Sequence, residues 1–190
     1  MGNIGAGYGA TAGKIKGGLG SASAVSDDGL QVGALIAVNP VGSVTVPGTH
    51  NFWAWELEQG DEFGGYGAPH FEGDLSMEAI SSGRLGANTT LGVVATNMTL
   101  SKSQARRVAI MAQDGYARAI RPVHTPFDGD TIFVLSTEKR ALDQPEPLAV
   151  ARIGAIAADC VARAIARAVY HADSLGVLPG YHSHYKNSLK

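Results

Sequence analysis

The feature that most constrains the fold is an alanine-rich apolar segment near the C-terminal end of the chain. It begins near Pro147, a residue type that favours the first turn of a helix. Apolar residues then recur at helical spacing and form one stripe: Ile153, Ile156, Cys160, Val161, Ala164, Ile165 and Ala168. Because alanine side chains are small, the stripe predicts a long helix that closely approaches a sheet or another helix.

Three apolar runs predict strands that such a helix could cover. They are "LQVGALIAV" at residues 30–38, "TTLGVVATN" at 89–97 and "DTIFVLST" at 130–137. Residues 43–46 predict a short partner strand. Strands and helices are mixed along the chain, so the sequence predicts an α/β or α+β domain.

The remaining segments are predicted from capping and polarity. Ser101 and Gln104 form a capping box that starts a helix, and Pro122 ends it. Less regular structure is expected elsewhere: a long, partly ordered excursion at 48–74, a short helix at 75–82 and a mobile polar tail at 181–190.

Composition narrows the class of protein. The 190 residues are 45% hydrophobic and 17% charged, which fits one globular domain with a sizeable core. Apolar stretches are interrupted well before the roughly 18 residues that a membrane span needs, and no signal-peptide pattern is present. The single cysteine, Cys160, fits a reducing compartment. We therefore expect a cytoplasmic protein without a membrane partner.

Charge is distributed unevenly. The net charge of −2 argues against general nucleic-acid binding. Two basic and nine acidic residues give the first 83 residues a net charge of −7, and the remainder carries +5. A solvated acidic surface explains this pattern, and so does a field that attracts a cationic substrate.

The N-terminal stretch "IGAGYGATAGKIKGGLGSAS", residues 4–23, has the composition of a phosphate-binding loop. The register is wrong, because Tyr8 stands where a Walker loop needs glycine and Ile15 where it needs a hydroxyl. A dinucleotide fingerprint needs a preceding strand and a following helix, which this stretch cannot provide. In the light of the family resemblance described below, these glycines are interpreted as allowing backbone to pass close to a nucleophile and substrate.

Spacing also argues against two other kinds of site. The six histidines are scattered, and no pair has helical spacing with a third ligand nearby. We therefore expect neither a metal nor a cofactor. The Gly-x-Ser-x-Gly motif of serine hydrolases is absent.

Two segments could carry nucleophilic chemistry. The small-residue loop at Gly86–Asn88 leads directly into Thr89 and a buried strand. A threonine hydroxyl becomes a good nucleophile when its own α-amine acts as base, which requires cleavage of the preceding peptide bond. The residues alone favour the simpler explanation, that Thr89 is an ordinary β-branched strand residue. Asp128 and Asp130 flank Gly129 before the last strand, either as a solvated turn or as groups that orient an ammonium or hydroxyl.

Four collinear blocks resemble the DmpA-type (S58) peptidases, which are self-processing N-terminal-nucleophile aminopeptidases and amidases. The blocks are "KGGLGSAS", "VGALIAVN", "ANTTLGVVATN" and "RAIRPVHTPFDGDTIFVLST". They cover residues 5 to about 140 in the family's order. The likeness is greatest to the nylon-oligomer branch, the 6-aminohexanoate-oligomer endohydrolases, which have threonine where the aminopeptidases commonly have serine.

The resemblance implies a four-layer αββα sandwich related to ornithine acetyltransferase. It implies autocleavage between Asn88 and Thr89 into residues 1–88 and 89–190, which remain associated as α and β subunits of one structural domain. A homo-oligomer of these pairs is implied as well. Family precursors are longer before the glycine-rich motif, so the N-terminal strands of the family sheet are expected to be missing or carried by a separate piece.

The resemblance also assigns roles to individual residues. Thr89 would be the nucleophile and its freed α-amine the general base. Lys16 would lie near this nucleophile, with Lys14 a weaker candidate for the same role. Asn39 would donate to the oxyanion, while Asp128 and Asp130 would support the threonine and the processing step.

The implied activity is hydrolysis of small linear amides, including nylon-6 oligomers. A β-peptidyl or D-amino-acid aminopeptidase is the alternative within the family. An acyl transferase of the ornithine acetyltransferase type and a non-catalytic assembly fragment are the alternatives outside it.

Overall fold

The computed structural model describes residues 1–70 and 88–186 and contains a four-stranded mixed sheet. Its strands are β3 (Gly18–Val25), β4 (Gln31–Val38), β5 (Leu91–Met98) and β6 (Thr131–Arg140), in that spatial order. Pairing is antiparallel from β3 to β5 and parallel between β5 and β6. A small antiparallel ladder precedes them, between β1 (Thr11–Ala12) and β2 (Ile15–Lys16). The predicted α/β class is confirmed.

The helices are gathered on one face of this sheet. The long helix α3 (Glu146–Tyr170) lies across β3 and β4, and Pro147 occupies its first turn as predicted. Helices α1 (Lys102–Ala112) and α2 (Asp114–Ala119) pack against α3. A short helix, α4 (Tyr181–His184), ends the described chain. Among the described helices, none combines the length and apolar character that crossing a membrane needs.

Glycines in β3 allow α3 to approach the sheet at backbone distance. A Cβ atom on Gly20 would lie 2.1 Å from the carbonyl oxygen of Ala164, and one on Gly18 would lie 2.4 Å from that of Ala168. These glycines therefore serve helix packing, which corrects their interpretation as a passage beside the nucleophile. The predicted close approach of the alanine-rich helix to a sheet is confirmed.

The opposite face of the sheet carries exposed apolar side chains. Four large side chains in the strands of this sheet are 43–56% exposed: Leu35, Leu91, Phe133 and Leu135. In the four-layer arrangement implied by the resemblance, a second sheet would cover such a face. The described residues supply one sheet layer of this kind and the helices on its other side.

Several local features differ from the predictions. The glycine-rich stretch, where no strand was predicted, contains most of β3. Residues 43–46 form only isolated bridges, Ser43 with Arg121 and Thr45 with Phe52. The helix that begins at the Ser101 capping box is interrupted at Gln113, which separates α1 from α2.

The described parts of the two less regular segments contribute side chains to the core. Phe52 and Phe63 of the 48–74 excursion are buried in the core. Tyr181, in the predicted mobile tail, is fully buried and stacks on Phe52 with ring centroids 4.8 Å apart. Residues 71–87, with the helix predicted at 75–82, and residues 187–190 lie outside the described residues.

Ion pairs join the acidic N-terminal part to the basic helix α3. Arg163 donates from Nε and Nη2 to the Glu62 carboxylate at 2.5 and 3.0 Å, and both side chains are largely buried. Arg152 similarly pairs with Asp28 and holds the pKa of that carboxyl well below its usual range. Some of the acidic residues of the N-terminal part thus form structural ion pairs with arginines of α3.

The close contact between α3 and β3 predicts the effect of adding a methyl group. Gly20→Ala should lower the free energy of unfolding by about 1–3 kcal/mol, because backbone must move to admit the Cβ. Gly33→Ala is the matched control, since its nearest neighbour would lie at 3.7 Å. Urea denaturation of both variants measures the difference, and equal stability would contradict the packing role.

Candidate active site

The Asn88–Thr89 peptide lies between the ends of three strands. The N–H of Thr89 donates to the carbonyl oxygen of Asn39, directly after β4, at 2.9 Å. The carbonyl oxygen of Asn88 accepts from the N–H of Gly129, shortly before β6, at 3.0 Å. A parallel bridge between Asn88 and Asp128 aligns the segments that lead into β5 and β6. Both polar groups of this one peptide unit are therefore held by backbone.

The Thr89 hydroxyl lies beside the same peptide. Its Oγ1 donates to the Asn88 carbonyl oxygen at 2.7 Å, and the residue is half-buried. Thr89 lies two residues before β5, and its N–H bond to Asn39 continues the antiparallel pairing of β4 with β5. Its backbone contacts therefore fit an extension of the strand as well as a positioned nucleophile. The geometry places a potential nucleophile next to the bond that its attack would break.

Asp128 joins the loop before β6 to the chain after β4. Its Oδ1 accepts from the backbone N–H of Val41 at 3.0 Å. Its Oδ2 accepts from the hydroxyl and the N–H of Thr125 at 2.5 and 3.2 Å. The carboxylate thus orders the turn that presents Gly129 to Asn88.

Asp130 holds the other side of this turn. Its Oδ1 accepts from the N–H of Thr90 at 2.8 Å, and its Oδ2 contacts Nδ1 of His124 at 2.8 Å. Its carboxylate side chain is only 2% exposed, whereas that of His124 is 42% exposed. The two acids therefore contact the residues around Thr89, and their chemical roles remain predictions.

Asn39 contacts the site through its backbone. Its side-chain Oδ1 accepts from the N–H of Thr11 at 2.9 Å, which fixes the orientation of the amide. Its backbone oxygen accepts from Thr89. The predicted role of the side-chain amide as an oxyanion donor stays a prediction.

Lys16 is 3% exposed and lies opposite Thr11 in the β1–β2 ladder. Its Nζ donates to the carbonyl oxygen of Tyr8 at 3.0 Å, and it makes no direct hydrogen bond to Thr89 within residues 1–70 and 88–186. Burial lowers the pKa of the Lys16 ammonium from its ordinary value of 10.5. The contacts from Thr11 through Asn39 connect it to Thr89, and its role stays a prediction.

Two residues that sequence reasoning missed support the site. The hydroxyl of the fully buried Tyr116 lies 3.1 Å from the carbonyl oxygens of both Thr90 and Thr131 and shares its single proton between them. It thereby joins the starts of β5 and β6. His124, six residues before Asp130, contacts its carboxylate through Nδ1. The short distance between them in the "HTPFDGD" segment of the sequence could have indicated this contact.

Comparison with solved structures defines the class of fold. A β-aminopeptidase from Burkholderia superposes with a TM-score of 0.63 at 20% identity, over 100% of this chain and 53% of that one. The L-aminopeptidase D-Ala-esterase/amidase of Ochrobactrum anthropi is described as a variant of the Ntn-hydrolase fold. It superposes with a TM-score of 0.59 at 22% sequence identity, over 94% of this chain and 47% of that one. The fold is therefore that of Ntn-hydrolase-like aminopeptidases.

The sequence then identifies the family. The model of Peptidase family S58 matches residues 1–182, and the chain belongs to this family. The resemblance of the four sequence blocks to the S58 peptidases is thereby confirmed.

Individual relatives differ in how much of the chain they match. An uncharacterized aminopeptidase of Mycobacterium leprae is 42% identical over 190 residues, covering 95% of this chain and 52% of the relative. A 6-aminohexanoate-oligomer endohydrolase of Paenarthrobacter ureafaciens is 35% identical over 52 residues, which cover 27% of this chain and 15% of the relative. The chain thus spans about half the length of the aminopeptidases that it matches.

The contacts of Asp128 predict a cost for neutralising its side chain. In Asp128→Asn, the amide nitrogen would face the donors of Thr125 or Val41 and leave a donor unsatisfied. The free energy of unfolding should fall by about 1–3 kcal/mol in chemical denaturation. Asp27→Asn, at an exposed position, is the control and should change little. Equal effects would show that Asp128 does not hold the loop.

Proposed function

We propose that this chain is a self-processing amide hydrolase whose N-terminal nucleophile is Thr89. The observation that carries the proposal is the 2.7 Å separation between the Thr89 hydroxyl and the carbonyl oxygen of the peptide that would be cut. The hydrogen bonds of that peptide to Asn39 and Gly129 support it further, because they restrain both sides of the bond.

Processing would proceed by acyl transfer within the chain. The Thr89 oxygen attacks the Asn88 carbonyl carbon, a C–O bond forms, the C–N bond breaks, and the hydroxyl proton passes to the departing nitrogen. Water then hydrolyses the ester to give the Asn88 carboxylate and a free α-amine and hydroxyl on Thr89.

The processed threonine would then act on substrate. An α-amine ordinarily loses its proton with a pKa of about 7.7–8.0, so the freed amine of Thr89 can accept the hydroxyl proton near neutral pH. An amide donor from Asn39 would stabilise the tetrahedral oxyanion, a contribution of about 2.7–4 kcal/mol in comparable hydrolases. Lys16 would hold the hydroxyl and favour its ionised form, while Asp128 and Asp130 keep the surrounding loops in place.

The pieces 1–88 and 89–190 would remain associated after cleavage. Support comes from β4 and β5, which pair across the cleavage point, and from the buried Arg163–Glu62 ion pair, which joins the two pieces. We further propose that these units form a homo-oligomer in the cytoplasm. No nucleic-acid partner is proposed. The exposed apolar sheet face supports association with further protein.

The proposed substrates are small linear amides with a free amino group, such as 6-aminohexanoate oligomers. The match to the endohydrolases supports this substrate class, whereas the near-complete match to aminopeptidases supports release of N-terminal residues instead. Chromatography of products from a 6-aminohexanoate oligomer and from a β-peptide distinguishes internal from terminal cleavage. Acyl transfer to ornithine that exceeds hydrolysis would indicate the transferase alternative.

The nucleophile is tested by removing its hydroxyl. Thr89→Ala should remain a single chain and lose amidase activity, because the attacking oxygen is absent. Thr99→Ala, an exposed threonine on the same side of the cleavage point, should be processed normally. Gel electrophoresis and N-terminal sequencing give the readout, and a Thr89→Ala chain cut before residue 89 would contradict the assignment.

Burial of Lys16 predicts a pH dependence. Because its pKa lies below 10.5, a larger neutral fraction is present at a given pH than for an ordinary lysine. If neutral Lys16 accepts the proton of the Thr89 hydroxyl and thereby favours its ionised form, the processing rate should rise with pH as this amine loses its own proton. Lys16→Arg, which keeps its charge, should process slowly and lose this rise.

Lys14→Arg tests the weaker candidate for the same role, since Lys14 is exposed and stands two residues away. It should retain the wild-type profile. Identical profiles for all three proteins would remove Lys16 from the mechanism.

A further inference from the structure

The carbonyl oxygen of Asn88 is the atom on which negative charge would develop during processing. When the Thr89 oxygen attacks, the carbonyl carbon becomes tetrahedral and its oxygen becomes an oxyanion. Donors already directed at this oxygen accelerate such a step because they need no reorganisation. The N–H of Gly129 donates to it at 3.0 Å before any reaction.

The contacts of the scissile peptide are divided between two loops. Asn39 accepts from the Thr89 nitrogen, the leaving group, through its backbone oxygen. Gly129 instead donates to the Asn88 oxygen. The hydrogen bond to the oxygen is therefore the one that would strengthen as charge develops there.

Glycine at position 129 satisfies a separate steric requirement. A Cβ atom built there would lie 2.8 Å from the Thr89 hydroxyl oxygen. A larger residue would press on the nucleophile and turn it away from the carbonyl. Glycine allows a backbone donor and an attacking hydroxyl to reach the same carbonyl group.

The flanking acids hold this donor in place. Asp128 binds the N–H of Val41, and Asp130 binds the N–H of Thr90. Gly129 therefore lies on a turn whose two neighbours are anchored to different segments, one to the chain after β4 and the other to the residue after Thr89.

We propose that the backbone N–H of Gly129 is the oxyanion donor for self-processing at Asn88–Thr89. This inference rests on the proposed function. In the step, the Thr89 oxygen bonds to the Asn88 carbon, the carbonyl electron pair moves to the oxygen held by Gly129, and it returns as the bond to the Thr89 nitrogen breaks. The hydroxyl proton ends on that nitrogen.

The direct test replaces the Gly129 amide by an ester, through incorporation of glycolic acid at position 129 of the full chain. This removes the N–H and adds no side chain. Processing should slow by about 10²-fold or more, the loss typical of one oxyanion donor. The same replacement at exposed Gly48, which is remote from the site residues in the chain, is the control and should leave the rate unchanged.

The possible results separate this inference from the proposed function. A wild-type chain that is cut at the same rate as its Gly129 ester would overturn the inference alone. A wild-type chain that is never cut would overturn the proposed function and this inference together.

A second measurement examines the hydrogen bond without relying on cleavage. In a Thr89→Val chain, which keeps the side-chain shape but lacks the hydroxyl, NMR can detect scalar coupling across the bond between the Gly129 nitrogen and the Asn88 carbonyl carbon. The coupling should be present. Its absence in the folded chain would overturn the inference.

Discussion

The contact between α3 and β3 is the constraint on which the rest of the structure depends. Carbonyl oxygens of Ala164 and Ala168 occupy the space that Cβ atoms on Gly20 and Gly18 would need. This contact fixes β3, an edge strand of the four-stranded sheet, on the long helix, and β3 pairs with β4, which in turn pairs with β5. The end of β4 then presents Asn39 to the residue that precedes β5.

The site is assembled mainly by backbone. Parallel pairing of β5 with β6 aligns the segments before them, so that Asn88 lies beside Asp128 and accepts from Gly129. The two aspartates stabilise this alignment through N–H groups of neighbouring segments. The Thr89 hydroxyl consequently faces a carbonyl whose position is determined by the sheet.

The sequence predicted elements whose apolar residues repeat locally, such as β4, β5, β6 and α3. It did not predict β3, because glycine and serine have weak strand propensity and the strand is stabilised by α3 from about 140 residues away. Burial of Tyr181 was missed for the same reason, since Phe52 is distant in the chain. The pairing of Thr89 with the Asp128–Asp130 turn was indicated by the family resemblance, whereas the residues alone favoured an ordinary strand residue at position 89.

Denaturing mass spectrometry of the purified chain after prolonged incubation near pH 8 tests the central claim most directly. The account predicts two fragments, residues 1–88 and 89–190, whose masses add up to that of the chain plus one water. A single species at the mass of the intact 190-residue chain would contradict it.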